Sequence, residues 1–174
     1  MTKISAQQTL TVLTELVLPN DTNPLHNLMG GRLLHWMDIA TAISARRFSK
    51  RIVVTAAVNH VSFNRPIPMG SVVTLEAKVS RSYSSSMEVI VYVYKEENIT
   101  GEKILCNEAI YTFVAVDQQG KPINVPVLIP ETDKEKKNFD AALRRRQLSL
   151  VLSGRMKPSE ATELKALFVD KTEA

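Results

Sequence analysis

From Ser71 to Arg81 the chain alternates, with Val73, Leu75, Ala77 and Val79 on one face and Thr74, Glu76, Lys78 and Ser80 on the other. That period of two predicts a strand with one face buried. The same period returns in Met87, Val89, Val91 and Val93, and after a turn around Asn98 to Gly101 a long run from Ile104 to Val116 predicts a third strand of the same meander. Upstream, residues 8 to 18 are rich in Thr, Val and Leu and read as a first strand ending at Pro19. Ile52 to Phe63 reads as another, broken at Arg65-Pro66-Ile67-Pro68-Met69-Gly70, where two prolines and a glycine cannot continue a central strand.

Between the first two strands the pattern is helical. The stretch from Gly31 to Arg47 carries a single formal charge between Leu33 and Ala45, that of Asp38. A helix apolar nearly all round is expected to be buried. Strand, helix and then four strands make an α+β plan, one curved antiparallel sheet wrapped round one long central helix. Such a sheet leaves an edge to be paired, so self-association is expected. Beyond the turn at Asp117 to Pro122 the character changes: Pro126 and Pro130 stiffen a connector, Glu131 to about Leu152 reads as a charged helix, and Pro158 to about Phe168 as a short one. The expected organisation is one domain over residues 1–125 and a C-terminal helical extension over 126–174, a length that supports one core.

Composition narrows the partners. The net charge of +4 comes chiefly from Arg144-Arg145-Arg146 and from Arg46-Arg47 with Lys50-Arg51, which suits a small anionic ligand at least as well as nucleic acid. No aromatic stacking platform or nucleic-acid motif accompanies these charges, so no nucleic-acid partner is expected. The one cysteine, Cys106, excludes an internal disulfide and, with no signal-peptide pattern, fits a cytoplasmic location. Its apolar neighbours mark it as a packed strand residue. No apolar run is long enough to propose a membrane span.

The chemistry concentrates at the helix. Desolvation penalises an ionised carboxylate, so folding alone would choose Leu or Ala at position 38. At the other end, Gly30 and Gly31 let a backbone or a ligand approach, and the first amides of a helix point outward with the positive end of its dipole behind them. Such amides bind anions, including one that forms during a reaction. A plainer reading makes the glycine pair a tight turn and puts Asp38 on a wetter side beside His35. With Asn27 just before the pair, the chemical reading is favoured. His26, His35 and His60 have no third ligand at metal spacing, so neither a metal nor a cofactor is expected.

Seven segments in register carry a resemblance: Pro19-Asn20-Asp21-Thr22-Asn23, Asn27-Leu28-Met29-Gly30-Gly31, Trp36-Met37-Asp38, Val53-Val54-Thr55-Ala56-Ala57-Val58, Phe63-Asn64-Arg65-Pro66-Ile67, Gly70-Ser71-Val72-Val73 and Tyr111-Thr112-Phe113-Val114-Ala115-Val116-Asp117. The pattern resembles the hotdog-fold acyl-CoA thioesterases, in particular the branch with the bacterial short- to medium-chain enzymes and the vertebrate cytosolic and brain acyl-CoA hydrolases. It spans about residues 8 to 122.

The resemblance implies homodimers whose sheets join edge to edge, often three dimers in a hexamer, and hydrolysis of acyl-CoA to fatty acid and coenzyme A. It implies sites at the dimer interface, where an Asn or Asp just before the glycine pair meets a helix carboxylate of the other subunit; Asn27 and Asp38 match these positions. Asp38 would act as general base or as nucleophile, Asn27 would position water or carbonyl, and the Gly31 amide would receive the oxyanion. Coenzyme A enters only as part of the substrate, and its phosphates need positive charge and hydroxyls: Arg81, Ser84 and Ser85 lie in the region where the resemblance puts them, and Arg65 is a second candidate. Two other functions stay in view on the same fold, an acyl thioester hydratase or dehydratase and a non-catalytic acyl-CoA sensor. The hydratase needs a catalytic His paired with an acid, and no DNA-binding helix precedes the domain to suggest a sensor.

Overall fold

The computed structural model of the chain describes residues 2–97 and 99–168. In chain order the elements are β1 (Lys3–Ser5), β2 (Thr11–Leu16), α1 (Gly30–Ser49), β3 (Ile52–Phe63), β4 (Val72–Ser82), β5 (Ser86–Glu96), β6 (Lys103–Val116), β7 (Val127–Ile129), α2 (Asp133–Leu152) and α3 (Thr162–Lys165). Two compact units result, Met1–Ile129 and Pro130–Ala174. The first closes at Ile129, four residues past the expected boundary at 125, because β7 pairs in parallel with β1. Neither three-residue strand has a readable period, so neither was foreseen.

Five antiparallel strands stand in the order β2-β4-β5-β6-β3, and α1 packs on all five. The inward face is the one the alternation predicts: Val73, Leu75, Ala77 and Val79 of β4 are at most 1% exposed. They meet Met37, Ala40 and Phe48 of α1, with Met87, Val89, Val91, Tyr111 and Phe113 completing the same core. Cys106 is buried on β6, as its neighbours suggest. The turn expected around Asn98 includes that residue, which lies outside the described ones.

Two expectations are corrected. The first strand begins at Thr11, not at residue 8, because Ala6–Thr9 form a 3-10 turn. The Thr9 hydroxyl donates to the Ala6 carbonyl at 2.7 Å and accepts from the Val79 amide at 3.0 Å, replacing a ladder bond by a side-chain bond. The second correction concerns α1, which the subunit's own sheet does not cover all round. His35, Ile39 and Ile43 form an exposed stripe, and beside it the edge strand β3 shows Ile52, Val54, Val58 and Phe63. An edge strand and a helix face that are both apolar and unpaired make one continuous surface suited to a second chain.

In the second unit, Thr132 caps α2: its side chain accepts from the Glu135 amide, and the Glu135 carboxylate accepts from the Thr132 amide. The last helix is shorter than expected, a 3-10 turn at Pro158–Glu160 followed by one turn of α-helix. Gln147 ties the two helices together by accepting from the Leu164 amide at 2.9 Å. No helix among the described residues is long and apolar enough to cross a membrane.

Met37 is fully buried between α1 and the sheet. Truncation of such a side chain leaves a cavity that the sheet cannot close, so Met37→Ala is expected to cost about 2–5 kcal/mol in urea unfolding. A loss below 1 kcal/mol, on the order of a surface substitution, would mean the α1–sheet core is not the main support.

Candidate active site

The site begins at a loop held to the start of α1. Pro19–Asp21 form a 3-10 turn, and the buried Asp21 accepts the Leu18 amide at 3.0 Å on one oxygen and the Arg32 Nε at 2.8 Å on the other. The Met29 amide donates to the Asp21 carbonyl at 2.9 Å, so the loop and the helix entry are joined twice. Charge-assisted bonds of this kind are stronger than neutral ones.

Within that frame Asn23 to His26 make a turn with Pro24 in second position and the His26 amide on the Asn23 carbonyl at 2.9 Å. The Asn23 side-chain oxygen accepts from two amides, Leu25 at 3.0 Å and Asn27 at 3.2 Å, and the Asn23 amide returns to the Asn27 carbonyl at 2.8 Å. With its oxygen held, the Asn23 NH2 group is left as an oriented donor. Asn27 takes part through its backbone, which also bridges to Pro68. Sequence reasoning singled out Asn27 for its nearness to the glycine pair and passed over Asn23. The Asn-Pro turn opener was the signal that could have found it.

The two glycines are there for different reasons. A Cβ on Gly30 would come within 3.3 Å of the Phe63 ring, so its smallness lets β3's last residue close on the helix start. A Cβ on Gly31 would meet nothing within 4 Å, so packing inside this chain does not explain it. Met29 occupies the cap position and gives no side-chain bond, leaving the Gly30, Gly31 and Arg32 amides as outward donors.

Asp38 lies nearly two turns along α1 and is half-buried, neither sealed in the core nor free in solvent. Thr55 of β3 donates its hydroxyl to one Asp38 oxygen at 2.9 Å, which leaves the other oxygen available. Beneath the helix, the Tyr111 hydroxyl donates to the Leu34 carbonyl at 3.3 Å, the acceptor one turn before Asp38. Tyr111 is pushed up to about 12, first by burial and then by the Asp38 charge, so it stays a protonated donor. Thr55 and Tyr111 therefore steady the carboxylate, and neither was picked out as a site residue in the sequence.

Other candidates are scattered. Seven residues of helix separate Gly31 from Asp38, about 10 Å of rise, so one protomer does not bring its own amide and carboxylate to one atom. Arg65 follows β3 at the Phe63 end, whereas Arg81, Ser84 and Ser85 belong to the β4–β5 hairpin at the other end of the sheet, where the Ser85 carbonyl accepts the Ala115 amide at 2.9 Å. The Arg81 guanidinium lies 6.0 Å from the Tyr83 ring centre. His35 is exposed, and among the described residues no histidine side chain is bonded to an acid. No cluster of three metal-binding side chains occurs among them either.

Residues 25–102 match the thioesterase superfamily. A Bacillus subtilis protein described as an uncharacterized acyl-CoA thioester hydrolase, YkhA, is 42% identical over 134 residues, 77% of this chain and 78% of that protein. Mouse acyl-coenzyme A thioesterase 11 is 35% identical over 145 residues, 83% of this chain but 24% of its own length. Among solved structures, the acyl-CoA hydrolase of Staphylococcus aureus with butyryl coenzyme A, coenzyme A and coenzyme A disulfide superposes with a TM-score of 0.82 at 34% identity, covering 88% of this chain and 95% of that one. An apo-hexameric acyl-CoA thioesterase gives 0.82 at 36% identity, over 84% and 94% of the two chains. The S. aureus protein has also been solved with an aspartate, a threonine and an asparagine singly replaced by alanine.

Asp21→Ala would strip the Leu18 amide and Arg32 of their acceptor and free the loop from the helix. Its expected cost is about 2 kcal/mol in chemical unfolding, the scale of a lost bond to a charged group. An unchanged unfolding midpoint would show that the loop is held by something else.

Proposed function

This chain belongs to the thioesterase superfamily, and from that premise we propose that it hydrolyses acyl-CoA thioesters to the free acid and coenzyme A at sites built by two protomers. The observation that carries this reading is the half-buried Asp38 with one oxygen tied to Thr55 and the other available, on a helix whose exposed stripe and neighbouring edge strand call for a second copy. Asp38 takes a proton from water that attacks the thioester carbon, or attacks that carbon itself. The Gly31 amide of the opposite protomer then receives the charge developing on the thioester oxygen. The rise of α1 forbids both roles within one helix, and a two-fold pair of antiparallel helices offers them twice.

In this scheme Asn23 is the polar group that orients water or carbonyl, and Asn27 holds it there. The S. aureus variants support the assignment by spacing. Their asparagine precedes their aspartate by fifteen positions and their threonine follows it by seventeen, the separations of Asn23 and Thr55 from Asp38 here. The expected assembly is a dimer joined through β3, with three dimers in a hexamer, in line with the hexameric relative. An acyl-CoA hydratase would need a histidine–acid pair, which the described residues lack.

Thiol release from a panel of acyl-CoAs tests the scheme. Asp38→Asn is expected to lose about 10²–10⁴-fold in kcat, the usual worth of a general base. Asn23→Ala should fall about 10²-fold, as for a lost oriented donor, and Asn27→Ala by less, because its backbone does the holding. Mixing the dead Asp38→Asn and Asn23→Ala proteins under subunit exchange should restore about a quarter of native activity, since half the dimers then carry one intact site of two. Full activity in Asp38→Asn, or no recovery on mixing, would reject the shared site.

A further inference from the structure

A cleft of about 1100 Å³ opens at the C-terminal end of α1, between that helix, the start of β3 and the end of β6. Four cations border it: Arg46, Arg47, Lys50 and Arg51. Arg47 is committed elsewhere, donating to the Leu10 carbonyl and, at 3.0 Å, to the Thr11 hydroxyl. Arg46, Lys50 and Arg51 are exposed and have no ion-pair or hydrogen-bond acceptor on their side chains among the described residues. The carboxylate that lines the cleft, Asp117, already accepts the Gln119 and Lys121 amides on one oxygen, each at 2.9 Å.

The dipole of α1 offsets part of this charge, since cations belong at a helix C-terminus. It acts within the last turn, however, and Arg51 lies beyond it at the head of β3. Three like charges gathered in a concavity repel one another, and an anion placed among them relieves that repulsion. Arg and Lys together offer the fork and point-charge donors that phosphate takes.

The cleft is also in line with the chemistry. Asp38, Ala42 and Arg46 fall four residues apart on one face of α1, and Ala42 and Arg46 both line the cleft. Along that face Arg46 lies about 12 Å and Lys50 about 18 Å from Asp38. A pantetheine arm, with its two amide units and their methylenes, is long enough to bridge that interval. Ile43, Ile52 and Val53 supply the apolar walls that such an arm needs. The β4–β5 hairpin borders the same end of the sheet, because the Ser85 carbonyl holds Ala115, the β3 partner of Val53.

We propose that Arg46, Lys50 and Arg51 form the subsite for the phosphate groups of the coenzyme A portion of the substrate. This rests on the thioesterase reading of Asp38. The assignment moves phosphate recognition from Arg65, at the far end of β3, to the C-terminal end of α1, with Ser84 and Ser85 close enough along the sheet to contribute hydroxyls.

The test compares an acyl-CoA with the corresponding acyl-pantetheine, which carries the same thioester and no phosphate. For the Arg46→Gln/Arg51→Gln protein, KM for acyl-CoA should rise about ten-fold or more, the worth of one or two charge-assisted bonds, with kcat little altered. The native preference for acyl-CoA over acyl-pantetheine should shrink correspondingly. Both positions are exposed, and a native circular dichroism spectrum checks that the variant is folded. Calorimetric titration with coenzyme A and with 3′,5′-adenosine diphosphate runs alongside. Weakened binding of coenzyme A in the variant supports the subsite even if turnover is absent in both proteins, an outcome that would count against the catalytic reading alone. Tight, arginine-dependent binding of the nucleotide without any change in KM would make the cleft a site for a free nucleotide and overturn the proposal. Unchanged coenzyme A affinity, or no binding by the native protein, would overturn it as well.

Discussion

The pitch of a single helix governs this molecule. An α-helix advances a fixed distance per residue, so the amides at the start of α1 and the carboxylate of Asp38 are held about 10 Å apart by backbone geometry that no side-chain rotation shortens. Acyl transfer needs donor and base on the same carbonyl group. A chain with both groups on one helix must therefore meet a second copy running the other way. The exposed Ile39 and Ile43 and the bare edge of β3 are then the surfaces of that meeting, left apolar within one subunit.

The glycine pair shows how one dipeptide can serve two ends. Gly30 is small because Phe63 closes on it, and this contact joins the end of β3 to the entry of α1. Gly31 is small with nothing of its own chain nearby, so its freedom serves whatever approaches from outside. Asp21 fixes the same entry from the loop side through the Leu18 amide and Arg32. Packing thus sets the direction of the outward amides, and chemistry uses the space that packing leaves.

Much of this was legible in the sequence because it is periodic. The alternation through β4 named its buried face residue by residue, and the uninterrupted apolar stretch around Asp38 identified the central helix. What periodicity cannot show is coverage. A helix apolar all round reads as buried, but the covering surface is partly another molecule, so the lone chain leaves a stripe open. Hydrogen-bond substitution is likewise invisible: Thr9 looks like a strand residue until its hydroxyl takes the place of a ladder acceptor for Val79. Asn23 escaped notice for a related reason. Its orientation comes from the Leu25 and Asn27 amides on its oxygen, whereas Asn27 drew attention by its closeness to the glycines.

Charge follows the same division between what a pattern shows and what a fold assembles. In the sequence, Arg46-Arg47 and Lys50-Arg51 read as two basic pairs at a helix end, where the dipole alone would explain them. The fold separates their roles: Arg47 turns back to Leu10 and Thr11 and fastens β2's entry to the helix, while the other three face a cleft. Arg51 decides between the two explanations, because it stands past the last turn of α1, where the helix dipole has faded and an anion is the better counter-charge. The helix that separates donor from base thereby also sets how far the phosphates must lie from the thioester, and a substrate with a long arm and a charged end fits that spacing.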